Sequence, residues 1–386
     1  MLRFMTAGES HGPGLVAVVE GLPAGLEITA DDFRIELARR RHGHGRGPRM
    51  RIEADDLEIL AGIRHGHTLG SPVAVIVRNT EWDRWKTEMS VESGTSARPV
   101  TRPRPGHADL AGMIKYDTND ARDILERASA RETAARVVAG VLAKALLSEI
   151  EVEIVSHVVA IGDVGAKAGL RPLGADSGTV DRDAVRCFDP VAGAAMVQAI
   201  DAARASRDTL GGVFEVIAYG VPVGLGSHVH YDRRLDGLLA QALLSIQAIK
   251  AVAVGEGFDI ARRHGFNAHD EIVVGEGAWT RASNRAGGIE GGISNGEPVV
   301  TRAAMKPLSN LMRPLATFDV ATGEAAQAIR ERSDVCAVPA ASIVGETMVA
   351  LTLAAEAQRV FGGDTIEEFR IAHRARRDRA ARRLEQ

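Results

Sequence analysis

The chain has 386 residues, with 45% hydrophobic and 25% charged side chains, as expected of a globular protein. A formal net charge of -4 argues against a uniformly basic nucleic-acid binder, so any anion site must be local. Cys187 and Cys336 have neither metal-ligand spacing nor a secreted disulfide pattern, the N-terminus lacks a signal-peptide run, and the apolar stretch VVAGVLAKALL is too short to span a bilayer. A cytoplasmic protein with no membrane partner is expected.

In chain order, GLVAVVEGLP reads as a strand ending in a Gly/Pro turn. ITADDFRIELARRR reads as a helix, with Thr29 and Asp32 as a capping box and arginines in the last turn, where they suit the helix dipole. SPVAVIVRN is a strand. The run from Glu81 to Asp109 has no period and several prolines, which predicts a long irregular segment of the kind that often carries function. ASARETAARVVAGVLAKALLSEI is a helix and EVEIVSHVVAIGDV a strand. Residues 165–183 read as a polar surface excursion, MVQAIDAARASRDTLGG as the start of a helix, and GGVFEVIAYGVPVGLG as a strand and turn. LDGLLAQALLSIQAIKAVAVG reads as one long helix, SNRAGGIEGGISNGEP as a loop, GETMVALTLAAEAQRVFGG as a helix, and the tail from Thr365 as a charged helix.

Two short similarities point to internal duplication. GLVAVVEGLPAGL resembles GVFEVIAYGVPVGL, each a strand followed by Gly-x-Pro-x-Gly-Leu. ILERASARETAARVVAG resembles IRERSDVCAVPAASIVG, each placing Glu-Arg before a helix. Two similar halves predict one large pseudo-symmetric domain.

Four groups of residues carry chemistry. In TAGESHGPG, glycine neighbours give His11 no apolar cover. A surface turn is the ordinary reading of such a histidine, but Glu9, Ser10 and His11 also place a carboxylate, a hydroxyl and an imidazole in one loop. GESHG matches G-x-S-x-G, yet Pro13-Gly14 and a strand follow where a nucleophile elbow needs a helix. The stretch RRRHGHGRGPRMRIEADD, beginning at Arg39, holds a dense positive patch. A metal would find His42, His44, His65 and His67 but no carboxylate or thiol in the loop. RNA would find no aromatic to stack on. A small polyanion would find arginine forks and close backbone approach, and a solvated basic loop is the plain alternative. RPRPGHAD stiffens Arg102, Arg104, His107 and Asp109 with prolines. LERASARET, GGIEGGISNGEP, MKPLSN and RERSDV mix hydroxyls, amides and cations as a mononucleotide phosphate site would, without a Walker or dinucleotide fingerprint.

AGESHG, RRRHGHGRGPRMRIEAD, RPGHAD, RASARETAARVVAG, GGISNGEP and RSDVCAVPAASIVGE resemble, in sequence and in order, the signature segments of the chorismate synthase family. The resemblance covers nearly the whole chain. It implies an α+β fold, a β-α-β sandwich with helices packed between two antiparallel sheets and a pseudo-two-fold internal repeat. It also implies a single domain over residues 1–386 with a charged C-terminal helical tail at 365–386, and a homotetramer. The implied activity is a lyase of the shikimate pathway that removes phosphate and a ring proton from 5-enolpyruvylshikimate 3-phosphate by anti-1,4 elimination, giving chorismate. The resemblance also implies a requirement for reduced FMN (FMNH2), which lends electron density as phosphate leaves. NADPH enters only as a reductant of the flavin, and the compact chain points to an external flavin reductase.

Position by position, the resemblance makes His11 the residue that assists phosphate departure. It also gives His107 the protonation of the flavin near N1, and Asp334 the role of helping flavin N5 take the ring proton. Ser10 and Arg49 match substrate contacts. Arg127, Ala128, Ser129, Gln247, Ala248, Gly291, Lys306, Pro307, Leu308, Ser309, Asn310 and Arg332 match FMN contacts. Arg40 and Arg46 match positions associated with NADPH or substrate.

Overall fold

The computed structural model describes residues 2–47, 56–274, 279–331 and 334–384. A four-stranded antiparallel sheet contains β1 (Arg3–Ala7), β2 (Gly14–Glu20), β3 (Asp56–Ala61) and β4 (Val73–Arg78) in the order β1-β2-β4-β3. A five-stranded antiparallel sheet contains β5 (Glu153–Ile161), β6 (Val164–Gly165), β7 (Gly212–Tyr219), β8 (Ile249–Val254) and β9 (Val299–Met305) in the order β8-β9-β7-β5-β6. In β2 and β4 the alternation of Val, Leu and Ala puts Leu15, Ala17, Val19, Val73, Val75 and Val77 on one buried face.

That face meets helices. The principal ones are α1 (Ala30–Arg41), α2 (Asp109–Tyr116), α3 (Arg122–Ala128), α4 (Thr133–Ser148), α5 (Pro190–Ala205), α6 (Leu235–Leu244), α7 (Val338–Phe361) and α8 (Ile366–Leu384). Helix α4 packs on β1, β2, β4 and β5, while α7 packs on α4, α1, β5 and β7. Small residues allow these close crossings. A Cβ on Gly140 would sit 2.6 Å from Thr347, and one on Gly345 would sit 2.4 Å from Phe214. Helix α7 is long and apolar enough to cross a membrane, a segment the sequence reading did not single out as a span. Since 89% of its most apolar window is buried inside the protein, it is a core helix.

One carboxylate ties this layer together. Glu346, fully buried on α7, accepts hydrogen bonds from Arg39 (2.8 Å), Lys144 (2.6 Å), Arg186 (3.1 Å) and the Ser156 hydroxyl (2.7 Å). Burial alone would raise its pKa, but Arg39, Lys144 and Arg186 hold the carboxyl well below its ordinary range. The arginine that opens the basic patch is thus partly structural.

Several expectations are corrected. The long helix expected from Leu235 stops at Leu244, and Ile249–Val254 is a strand paired with β9. The alternating Val and Ala of this stretch fit a strand, and the left-handed backbone of Ala248 (φ 66°) breaks the helical path. The 165–183 stretch is mostly exposed, as a surface excursion should be, and in addition holds a helical turn at Gly174–Asp176 and a short helix at Ser177–Arg182. The loop around SNRAGGIEGGISNGEP holds a small hairpin, Ile289–Glu290 with Ile293–Ser294.

Candidate active site

The β1–β2 connection carries Ser10 and His11. It turns at Gly8 (φ 103°), where a Cβ would lie 2.3 Å from the Gly14 carbonyl oxygen, so only glycine fits. Asn79, just after β4, pins the loop by donating to the Ser10 and Gly12 carbonyls at 3.1 and 3.0 Å. Glu126 on α3 pins it from the other side. Its carbonyl accepts the Ser10 N–H at 3.0 Å, and its carboxylate accepts the His11 N–H at 2.8 Å. The same carboxylate lies 2.9 and 3.0 Å from His11 Nδ1. Burial acts to raise the Glu126 pKa, but the hydrogen bonds and charge of His11, with Arg122, bring it below the ordinary value.

His107 is held in the same way. Its Nδ1 lies 2.5 Å from Asp109, a fully buried residue at the start of α2. Asp109 also accepts hydrogen bonds from Arg104 Nε (2.8 Å), Arg104 Nη2 (3.1 Å) and the Arg104 N–H (3.0 Å). Burial works against the charge, yet these bonds keep the carboxyl well below the carboxylate range. Lys306 Nζ donates to the Gly106 carbonyl at 2.8 Å, bracing the turn before His107. Burial, then Lys250, lowers the Lys306 pKa.

The basic patch divides by direction. Arg39, half-buried, turns toward Glu346 in the core, while Arg40, buried, lines the cavity that His11 and His107 share. His44 lies 2.7 Å from Asp201. Beyond α1 the chain is docked onto the segment before α7. Val335 N–H donates to the Gly45 carbonyl at 2.8 Å, Gly47 N–H to Asp334 at 2.7 Å, and Arg46 lies 3.0 Å from Asp334.

This single cavity gathers many of the expected site residues: Ser10, His11, Arg40, Arg46, His107, Ser129, Gln247, Leu308, Ser309, Asn310 and Asp334. Arg104 and Arg131 add two more guanidinium groups, and Glu331 a second carboxylate beside Asp334. Other expected residues do not line it. Arg127 donates to the Thr6 and Gly8 carbonyls, Ala248 accepts the Lys306 N–H, and Ala128 and Pro307 adjoin lining residues. Gly291 is the turn of the Ile289–Ser294 hairpin, away from the cavity lining. Arg49 and Arg332 lie outside the described residues.

The sequence reading missed Trp85, whose ring stacks on His11 with centroids 3.9 Å apart, and did not connect Glu126 to His11. The available signal was Trp82-x-x-Trp85 just beyond a strand end, in a chain with only three tryptophans.

The donor set fits a flavin mononucleotide beside a polyanionic substrate. Guanidinium groups and hydroxyls suit phosphate and carboxylate. Gln247 Oε1 is buried without a hydrogen-bond partner among the described residues, an acceptor suited to a ligand N–H or O–H.

Two carboxylate-braced histidines in an arginine-lined cavity, set between antiparallel sheets and core helices, define an enzyme acting on a small polyanion. The profile of the chorismate synthase family matches residues 2–357. The chorismate synthase of Salinispora tropica is 59% identical over 379 residues, 96% of this chain and 97% of that protein. That of Parafrankia sp. is 59% identical over 382 residues, again 96% of this chain and 97% of the relative. A crystal structure of chorismate synthase superposes with a TM-score of 0.79 at 40% identity, covering 99% of this chain and 98% of that one. The chain belongs to the chorismate synthase family, the phosphate-eliminating lyases of the shikimate pathway.

Proposed function

We propose that this cavity is where 5-enolpyruvylshikimate 3-phosphate loses phosphate and a ring proton by anti-1,4 elimination, with reduced FMN bound alongside. The observation that carries the reading is the meeting of His11 and His107, each braced through Nδ1 by a buried carboxylate, with Arg40, Arg46, Arg104 and Arg131 in one cavity. Arg40, Arg46 and Arg131 bind the substrate's phosphate and carboxylates, together with Arg49 from outside the described residues, and the Ser10 hydroxyl orients it. With Nδ1 engaged by Glu126, His11 delivers its proton to the departing phosphate through Nε2. Glu126 stabilises the charged imidazolium before transfer. Asp334, oriented by Arg46 and Gly47, assists removal of the ring proton. His107, fixed through Nδ1 by Asp109, would hold a proton for the flavin near N1.

Ser129, Gln247, Leu308, Ser309 and Asn310 would hold the flavin, with Arg127, Ala128, Ala248, Lys306 and Pro307 in the adjoining chain. Gly291 and Arg332 join this set on the resemblance alone. When bound, reduced FMN supplies electron density to the allylic system as phosphate leaves. The test is anaerobic conversion of the enolpyruvyl substrate to chorismate, followed by absorbance with and without reduced FMN. Turnover only with the reduced flavin supports the reading, and none under either condition refutes it.

We also infer one domain over residues 1–386, a β-α-β sandwich with a pseudo-two-fold repeat. In support, β2 packs on α4 as β7 packs on α7, and the two helices pack on each other. A homotetramer is supported by exposed Phe258, Phe266, Val274 and Trp279 on one segment, and a cytoplasmic location by two buried free thiols. NADPH serves only through an external reductase, so anaerobic NADPH that bleached bound FMN without a helper would overturn this last point.

A further inference from the structure

We propose that Trp85 is a positioning residue for His11, stacked on the imidazole so that its Nε2 meets the leaving phosphate in one orientation. The inference rests on reading His11 as the proton donor.

A hydrogen bond at Nδ1 fixes one edge of an imidazole but leaves the ring able to tilt about that bond. Here the tilt is blocked, because the Trp85 ring lies 3.9 Å from the His11 ring, centroid to centroid, at an interplanar angle of 29°. The stack closes a circuit. Arg122 sits over the Trp85 ring at 5.0 Å and donates through Nη1 to Glu126 at 3.0 Å, and Glu126 holds His11. Trp85 is itself placed from the same anchor as the His11 loop. The helical turn Trp82–Trp85 begins with the Trp82 N–H donating to the Asn79 carbonyl at 3.1 Å, and the Asn79 amide ties down Ser10 and Gly12. One residue therefore indexes both partners of the stack.

The contact depends on charge as well as shape. An indole face attracts an imidazolium more strongly than a neutral imidazole. That attraction strengthens the stack when the ring is the imidazolium that donates to phosphate. The charged groups near His11 include Glu126 and Arg122 on α3 and Glu9 in its own loop, and the shared cavity adds Arg40, Arg46, Arg104, His107, Arg131, Glu331 and Asp334. Trp85 lies against a face of the ring that the Glu126 bond does not hold, so removing it changes tilt and charge preference while leaving that bond in place.

Trp85→Ala and Trp85→Phe, in the full-length protein, test this. Trp85→Ala should lower kcat about tenfold with KM changed less than about twofold, and should move the alkaline limb of the kcat profile to lower pH. Trp85→Phe, which keeps an aromatic face, should recover most of the loss. Independently of turnover, the emission of Trp85, isolated as the difference between wild type and Trp85→Phe, should change with pH in the flavin-free protein, and that change should vanish in a His11→Ala background. A Trp85→Ala enzyme with wild-type kcat and an unmoved limb would overturn the proposal. So would a pH-independent Trp85 emission, or equal losses in both variants accompanied by a fall in Tm. A wild-type protein that released no phosphate would instead overturn the functional reading, and the emission would still report the stack.

Discussion

The guanidinium of Arg46 lies 3.0 Å from the carboxylate of Asp334, and the same carboxylate accepts the Gly47 N–H at 2.7 Å. The Gly/Arg chain that follows α1 is therefore fastened to the segment that precedes α7, and the fastening point is a wall of the candidate site. A loop read from sequence as a collector of anions is in part pre-ordered before any anion arrives.

Asp334→Ala should release this loop. Limited trypsin digestion should cut near Arg46 several-fold faster than in wild type, since a freed segment opens locally at lower cost. Asp334→Asn, which keeps an acceptor for Gly47 but loses the charge pair, should fall between the two. Unchanged cleavage in both would show that the contact does not order the loop.

The two braced histidines are expected to matter for turnover and not for folding. His11→Ala and His107→Ala should each slow kcat by about a hundredfold or more, the usual worth of a positioned acid or base, with circular dichroism and Tm close to wild type. Asp109→Asn should also lower kcat, because the neutral amide no longer fixes His107 Nδ1. Near-normal rates in both histidine variants would remove their proton roles.

Gly140→Ala reverses the usual effect of placing alanine in a helix. Alanine is the better helix former, but the new methyl would sit 2.6 Å from Thr347 on α7. Overpacking at this crossing should destabilise the protein by about 1–3 kcal/mol in a urea titration. A stabilised variant would mean that α4 and α7 can shift apart freely.

Acid should weaken the fold through buried carboxylates. Glu215 is buried, which would raise its pKa, but hydrogen bonds from His157 and Arg171 and the charge of Arg302 bring it down from 4.5 to about 2. A carboxyl depressed in the folded state contributes stability that is complete above pH 4.5 and disappears as pH falls toward 2. Its full contribution is about 3 kcal/mol, with roughly 1 kcal/mol already lost at pH 4. Asp109, shifted in the same direction, adds to the effect. The urea-midpoint difference between wild type and Glu215→Gln should therefore narrow between pH 6 and pH 4. A constant difference would contradict the shift.

How much of this was legible follows from how local each interaction is. The strands Gly14–Glu20, Val73–Arg78 and Gly212–Tyr219 announce themselves by β-branched residues, and the Thr29–Asp32 cap marks its own helix. His107 and Asp109 are two residues apart, so their association was visible in RPGHAD. His11 and Glu126 are brought together only by the packing of α3 on the β1–β2 turn, and no local pattern records that. The stretch after Leu244 was misread because its Ile, Ala and Val suit either a buried helix or a buried strand. Pairing with β9, a distant segment, decides it. Trp85 was passed over because it sits in a run without periodicity.

The central claim is that one cavity eliminates phosphate from the enolpyruvyl substrate with reduced flavin at hand and histidine as proton donor. Inorganic phosphate released per mole of substrate, measured anaerobically with reduced FMN, with oxidised FMN and without flavin, tests it most directly. One equivalent of phosphate is expected with the reduced flavin alone, slowed strongly in His11→Ala. Phosphate release at the same rate in all three conditions would contradict it.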